Sequence, residues 1–561
     1  MPSDTSEIDD ENFFLSPDGK IDSNAELKAT INAFINETSF DDNATGCKFP
    51  ARRFWLEKEL SMTDLPKLEC TEFNALMKRV DPQSASLIFP AGFIESPASM
   101  FGHTFLRIDS KYKSKMLSYA INYAADANTA TESGMVFAVK GLFGGYYGKY
   151  SLLPYYDKIK EYRDSEERDM WEYDLNLTPV EMQQMFRHIW EIRDTYSWYY
   201  FFTENCSYNM LWLIEAARPS VHTREYFTYQ VIPPETVHAI VEEGIVTKSH
   251  YRPARRSKLL AYEKYLEDNE INDVFDLARS NVSVQKYLET NTSKQTKRYV
   301  LEASSEFIEY DFLAGDINQT VYRQRLHSIL GARSGLGKGE QIKIAQPENP
   351  TEGHHAMRVR AEAGVRNGDG IGFLGIRPAN HDIKDSDVGF LRGTQIEFFD
   401  FLFSYGKEDD FNLEKATLIN ILSLSPRGKF FQPFSWQLNT GWDREYLTDS
   451  VKFTSNASYG MTWGNDMGYV YVLADALFYT DRDLTVGLGG ILGAVVYEGR
   501  DFKTNFETTQ RIYDTGSDQM LFSASQHYRS SQNTALSLSY DYVEKYESNW
   551  NTVKFTFDYF F

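Results

Sequence analysis

Three cysteines in 561 residues are too few for a disulfide-knit scaffold or a cysteine-rich metal domain. Positive charge is also scarce. Lys and Arg number 58 against 80 Asp and Glu, for a net charge of −22. That balance excludes binding by broad phosphate neutralisation, so nucleic acid is not an expected partner. No stretch reaches the roughly 18 apolar residues of a membrane-spanning helix; "GGILGAVVY" (489–497) is about the longest. The opening "MPSDTSEIDDENFF" lacks the basic and apolar regions of a secretory leader. Because later segments read as an exported protein, a leader is expected to have been removed. The chain is nevertheless 42% hydrophobic and 15% aromatic, which suits globular cores and not disorder. Its length predicts two or three domains.

Four regions are expected: a helical cap over 1–80, an α+β domain over 81–220, a charged helical stretch over 221–350, and a β-barrel over 351–561. In the first, Cys47 and Cys70 flank "KFPARRFWLEKELSMTDLPKLE". A bridge between them in an exporting compartment would add about 3 kcal/mol through loop closure; two unrelated buried thiols is the alternative. In the second, "ASLIFPAG", "HTFLRID", "MLSYAINYA" and "DMWEYDLNL" read as strands. "TPVEMQQMFRHIWEIRDTY" reads as a helix with Thr178 as N-cap and Pro179 at its first position. In the third, "RPARRSKL" (252–259) is a basic cluster that suits a solvated helix end or a contact with anionic lipid headgroups.

From about residue 354 the pattern changes. Twelve segments of about ten residues alternate in polarity between turn signals such as "NGDG", "SPRGK" and "DTGSD". In "NTVKFTFDYFF", Val553, Phe555, Phe557, Tyr559 and Phe561 share one face, and Lys554, Thr556 and Asp558 the other. An apolar exterior and a polar interior are what a closed barrel in lipid requires, and an even count leaves both ends on one side. The aromatic last strand resembles the C-terminal signature of bacterial outer-membrane barrels. The short loops between the segments depart from that pattern.

On the bridged reading Cys206 is the thiol left over, in "FFTENCSYNMLWLIEAARP" (201–219). Thr203 is the expected cap of the helix running to Pro219, which puts the sulfur in the first turn, where unpaired N–H groups favour thiolate. Met210, Leu213 and Ala217 share the sulfur's stripe. A small side chain filling a core gap is the plain alternative. A thiol nucleophile needs a base and a group to orient it. His103 opens a strand beside the small-residue loop "ESPASMFGH", and symmetric pairing about "SKYKSK" sets it across from Asn122 on the same face. Ser96 and Ser99 of that loop, with Tyr146, Tyr147 and Tyr150 of "GLFGGYYGKY", are candidate substrate contacts, the tyrosines as a lip facing an acyl chain. A plain turn between strands is the alternative for the glycine-rich loop. His354 and His355 have no carboxylate or cysteine at ligand spacing and read as strand-start residues. No metal and no cofactor is expected.

The order His, Asn, Cys resembles the permuted NlpC-like and lecithin–retinol-acyltransferase-like thiol folds. "FPAGFIESPASMFGHTFLRID", "GLFGGYYGKYSLLPYYDKIKEY" and "FFTENCSYNMLWLIEAARP" resemble the Lnb-type N-terminal periplasmic domain family over roughly 45–260. "CKFPARRFWL" and the barrel resemble long members in which the thiol domain is tethered to the outer membrane. The resemblance implies Cys206 as nucleophile, His103 as base, and thioester chemistry on lipid acyl chains. The expected function is therefore cysteine-dependent acyl transfer or hydrolysis on a lipid or lipoprotein, at the periplasmic face of the outer membrane. A peptidoglycan amide hydrolase is the second reading, and a non-enzymatic barrel with an interaction plug the third.

Overall fold

The computed structural model describes residues 5–62, 64–91, 102–112, 114–127, 140–141, 143–161, 168–406, 411–444, 450–480, 484–545 and 549–561. Two compact units divide at Ser257 and Lys258.

The first unit is built on seven strands: β1 (Ser84–Pro90), β2 (Phe105–Asp109), β3 (Tyr119–Ala125), β4 (Tyr146–Pro154), β5 (Met170–Leu175), β6 (Ser197–Tyr199) and β7 (Val246–Arg252). They pair antiparallel in the order β6-β4-β3-β2-β1-β5-β7. Neighbouring residues part to opposite faces, as the strand pleat requires. Leu87, Leu106 and Ile121 meet the helices Pro179–Ile192 and Cys206–Ala217, while Ile88, Phe105 and Ala120 meet Tyr155 and Ile159. Thr178 and Glu181 form a reciprocal cap with Pro179 in the first turn, as the sequence predicts.

The N-terminal helices Ser23–Ile35, Pro50–Glu59 and Thr71–Val80 precede the sheet. A disulfide joins Cys47 to Cys70 with their Cα atoms 5.3 Å apart. The Trp190 indole N–H donates to the Cys47 carbonyl at 2.9 Å, and Glu191 accepts the Ala51 and Arg52 N–H groups at 2.7 and 2.9 Å. A carboxylate supplied from another helix thus satisfies donors at the start of Pro50–Glu59.

The stretch 221–350, expected as one helical region, is divided. Residues up to Ser257 belong with the first unit because β7 extends its sheet beyond β5. Most of β7 is exposed, so "VTKSHYR" lacks the alternation that marks a half-buried strand. In the basic cluster Arg252 bonds Glu172 at 2.9 Å, and Arg255 is buried. The helices Asp268–Ala278, Lys294–Leu313 and Gln319–Gly335 belong to the second unit. They pack around Leu277, Leu301, Phe307 and Ile329 together with Phe430 and Phe431 from a barrel turn.

The barrel strands are β8 (Arg358–Arg366), β9 (Asp369–Arg377), β11 (Thr394–Gly406), β12 (Asn412–Ser423), β13 (Ser435–Asp443), β14 (Lys452–Asn465), β15 (Gly468–Thr480), β16 (Leu484–Tyr497), β17 (Phe502–Tyr513), β18 (Asp518–Arg529), β19 (Thr534–Lys545) and β20 (Asn549–Phe560), with a short β10 (Ala379–His381) on β11. Pairing of β20 with β8 and of β9 with β11 closes the ring of twelve. Exterior positions are apolar: Val553, Phe555, Phe557 and Tyr559 are 43–53% exposed, while Thr552, Thr556 and Asp558 are buried inside. Such a surface is unfavourable in water and fitting in lipid. Among the described residues no helix is long and apolar enough to cross a membrane.

The longest connection between barrel strands, 378–393, turns inward. Its residues bond to side chains on separate parts of the ring: Asp385 to Arg377 of β9, Asp387 to Lys503 of β17, and Lys384 to Ser523 of β18.

Replacing Cys47 and Cys70 together by alanine is expected to lower the stability of the first unit by about 3 kcal/mol, read from denaturant melting with and without reductant. Leu538→Arg, on the exterior of β19, is expected to cost about 2–4 kcal/mol, read from folding into lipid vesicles.

Candidate active site

The site assembles where β2, β3 and the helix Cys206–Ala217 meet. Asn205, not Thr203, caps that helix, and the last helical residue is Ala217. The Asn205 Oδ1 accepts the Ser207 and Tyr208 N–H groups at 3.0 and 3.2 Å. Its Nδ2 donates to the Phe201 and Val231 carbonyls at 2.9 and 2.7 Å. Anchored on both sides, the cap holds Cys206 as the first helical residue. Met210, Leu213 and Ala217 on its stripe are buried.

His103 lies two residues before β2. The pairs Leu106–Ile121 and Arg107–Ala120 place the β2–β3 register two residues away from symmetric pairing. A slip of two preserves the face, and His103 Nε2 donates to Asn122 Oδ1 at 2.7 Å along the diagonal. With Nε2 so occupied, Nδ1 is left for the sulfur, and the imidazole and the Cys206 thiol are hydrogen-bonded. The structure therefore brings Cys206, His103 and Asn122 together.

The surroundings of each group shift it toward its charged form, thiolate and imidazolium. Burial raises the Cys206 thiol, but the imidazole's charge and hydrogen bond, the Thr104 N–H and the Ser207 hydroxyl outweigh it and hold the pKa below the ordinary value. Burial pulls His103 down; the sulfur's charge and hydrogen bond, with the Asn122 amide, bring it above its ordinary value. Thr104 Oγ1 donates to Ser207 Oγ at 2.9 Å, tying the strand to the helix start beside the sulfur. Glu204 is pushed up to about 7 by burial and by the Glu7 and Asp9 carboxylates.

Tyr199 is the participant that sequence reasoning missed. Its hydroxyl is hydrogen-bonded to the Cys206 sulfur and accepts the Cys206 backbone N–H, and burial keeps the phenol protonated far above its ordinary range. The ring stacks on Tyr123 with centroids 6.1 Å apart, and β6 fixes its backbone against Tyr146. Two strands at the sheet edge hold the ring, so only a pairing between segments about fifty residues apart could have revealed it.

The three candidate tyrosines do not act as one lip. Residues 146–154 form β4, so Tyr146 and Tyr150 point inward and Tyr147 outward. Tyr150 donates to Asn209 Oδ1 at 2.8 Å and supports the cysteine helix. Tyr147 joins an outer cluster, 4.3 Å from Tyr196 and 4.6 Å from Trp198. Gly148 is required where it stands, because a Cβ there would lie 2.0 Å from the Tyr123 hydroxyl. Ser96 and Ser99 lie outside the described residues.

Residues 72–243 match the family model for the Lnb N-terminal periplasmic domain. Three further models, the domains of unknown function DUF7843, DUF7842 and DUF7840, match residues 2–59, 249–344 and 347–560. No curated protein matches the chain. Among solved structures, the KdgM porin is similar at 10% identity, over 36% of this chain and 99% of its own, with a TM-score of 0.24. An outer membrane channel from Pseudomonas putida F1 is similar at 11% identity, over 39% and 97%, with a TM-score of 0.25. An OmpT loop-deletion mutant from Vibrio cholerae shows 8% identity over 36% and 97%, with a TM-score of 0.20. Those scores carry no argument, and the outer-membrane type of this barrel rests on its own closure and apolar exterior.

A thiolate held by His103 should react with iodoacetamide well below the ordinary thiol range near 8.5. His103→Ala raises the thiol pKa, so alkylation of Cys206 at pH 7 should fall at least about tenfold and recover as pH rises toward 9. Equal rates in the two proteins across that range would contradict the ion pair.

Proposed function

We propose, for a chain whose residues 72–243 are an Lnb N-terminal periplasmic domain joined to an outer-membrane-type barrel, that Cys206 is the nucleophile of an acyl transfer from lipid. The observation that carries the reading is the linked set of Cys206, His103 and Asn122, with the Nε2–Oδ1 bond at 2.7 Å orienting the imidazole toward the sulfur. An interaction plug would need no such set.

In the reaction Cys206 Sγ attacks the carbonyl of an ester-linked acyl chain and a C–S bond forms. The carbonyl oxygen gains the negative charge. The helix start offers fewer N–H groups for it than the sequence suggests, because Asn205 already occupies those of Ser207 and Tyr208. Beside the sulfur stand the Thr104 N–H, the Cys206 N–H and the Tyr199 hydroxyl; the last two, bonded to each other in the free protein, turn to the oxyanion when the tetrahedral centre forms. Collapse breaks the C–O bond, and the departing alkoxide takes the proton from the His103 imidazolium. An amine or water then attacks the thioester and returns a proton to His103, and the C–S bond breaks to restore the thiolate.

A lipid or lipoprotein substrate is favoured because covalent linkage to a membrane barrel raises the effective concentration of lipid. Incubation of the full-length protein with phospholipid vesicles should leave a hydroxylamine-sensitive acyl mass on the Cys206 peptide. That mass should be absent in Cys206→Ala, and its rate of formation about 10²–10⁴-fold lower in His103→Ala. Cleavage of cell-wall muropeptides without acylation by lipid would assign the same thiol to peptide amides. Neither reaction in the wild-type protein would overturn the reading.

A further inference from the structure

Two imidazoles that are distant in sequence meet inside the barrel, at the end where the chain enters and leaves it. His354 precedes β8, and His381 closes the short β10 on the inturned segment. His354 Nε2 and His381 Nδ1 lie 3.1 Å apart, and both side chains are buried. The ring of His354 is stacked between Phe390 and Phe560, at 4.5 and 4.1 Å.

The outer contacts of the rings decide what the facing nitrogens are. His354 Nδ1 lies 2.6 Å from the His355 carbonyl, which can only accept, so Nδ1 carries a hydrogen. His381 Nε2 lies 3.1 Å from Asp387 Oδ1. That carboxylate is kept ionised by the Lys503 ammonium at 2.9 Å and by the Tyr497 hydroxyl, so it too accepts, and Nε2 carries the hydrogen. In neutral rings both facing nitrogens then present lone pairs to each other. Two acceptors at hydrogen-bond distance require a positive centre between them. Asp385 Oδ2 stands 3.9 Å from His354 Nε2, and one ligand atom from each of the three residues lies within 4.8 Å of the others.

We infer that His354 Nε2, His381 Nδ1 and the Asp385 carboxylate form a site for one first-row divalent transition-metal ion. Two imidazoles and one carboxylate suit zinc, nickel or copper better than magnesium or calcium. An N···N separation of 3.1 Å fits two cis bonds of about 2.0–2.1 Å. The outer hydrogen bonds, ring N–H to a carbonyl and ring N–H to a carboxylate, are those that orient metal-bound histidines elsewhere. Asp385 Oδ2 also accepts from the Arg377 guanidinium at 2.7 Å, and Arg358 is shared by Asp382, Asp385, Asp400 and Asp558. A cleft of about 340 Å³ is lined by Asp387, the partner of His381 Nε2, together with Ser386, Tyr497 and Lys503. An ion here pins the inturned segment 378–393 to the base of β8. Reading along the chain alone hides the site, because 27 residues separate the two histidines.

The test uses the full-length protein in detergent, stripped with chelator and dialysed against zinc, with bound metal counted by mass spectrometry. One zinc per chain is expected. His354→Gln and His381→Gln should each lose it, and Asp387→Asn should weaken binding about 10–100-fold. X-ray absorption of zinc-loaded wild-type protein should show scattering from two imidazoles, which decides the matter even if a variant fails to form the barrel. Failure of the wild-type chain to bind zinc, nickel or copper would overturn the site and assign a shared proton to the pair. Unchanged stoichiometry in both glutamine variants, or zinc without imidazole neighbours, would overturn it equally.

Discussion

Successive side chains of a β-strand leave on opposite sides, and both units of this protein are built on that constraint. In the barrel it turns an apolar face to the exterior, while the interior holds polar side chains together with apolar clusters that include Leu473, Leu477 and Ile491. Closure of β9 on β11 leaves no unpaired edge within lipid among the described residues. In the first unit it puts Asn122 on the same face as Ala120, where His103 meets it, and it separates Tyr147 from Tyr146 and Tyr150. A register change of two residues is harmless to this arrangement, whereas a change of one would have turned Asn122 away from His103.

A second rule acts within that frame: charge placed in a low-dielectric interior must be matched by charge or hydrogen bonds. The Cys206 sulfur is buried, yet it is met by the His103 imidazole, a backbone N–H and a hydroxyl, which favour its thiolate form. Asn205 contributes indirectly by consuming two helix N–H groups and anchoring the first turn to the Phe201 and Val231 carbonyls. The barrel lumen follows the same rule at larger scale. There Arg377 bridges Asp385 and Glu397, and Arg511 bonds Asp475 on another strand. These ion pairs fill the interior with polar contacts, and the inturned segment is held among them.

Much of this was legible along the chain because the informative signals are local. Alternation over ten residues located twelve barrel strands within a few residues of their ends, and Thr178 with Pro179 marked a helix start that the structure retains. The spare thiol and the histidine at a strand opening identified two members of the site, and the hairpin's symmetry identified the third by its face, although not by its register. β7 escaped because its exposed residues carry no alternation, and the cap falls on Asn205 instead of Thr203, a residue type that also serves there.

By itself, then, the sequence determined the periodicities, the disulfide partners available and which face each strand residue occupies, because these depend on neighbours one to four positions away. Tertiary structure alone decided the two-residue shift that makes the His103–Asn122 bond diagonal, the arrival of Tyr199 beside the sulfur, and the meeting of His354 with His381. Each of these depends on hydrogen-bond ladders between segments far apart in the chain, and residue spacing carries no record of which rungs those ladders will use.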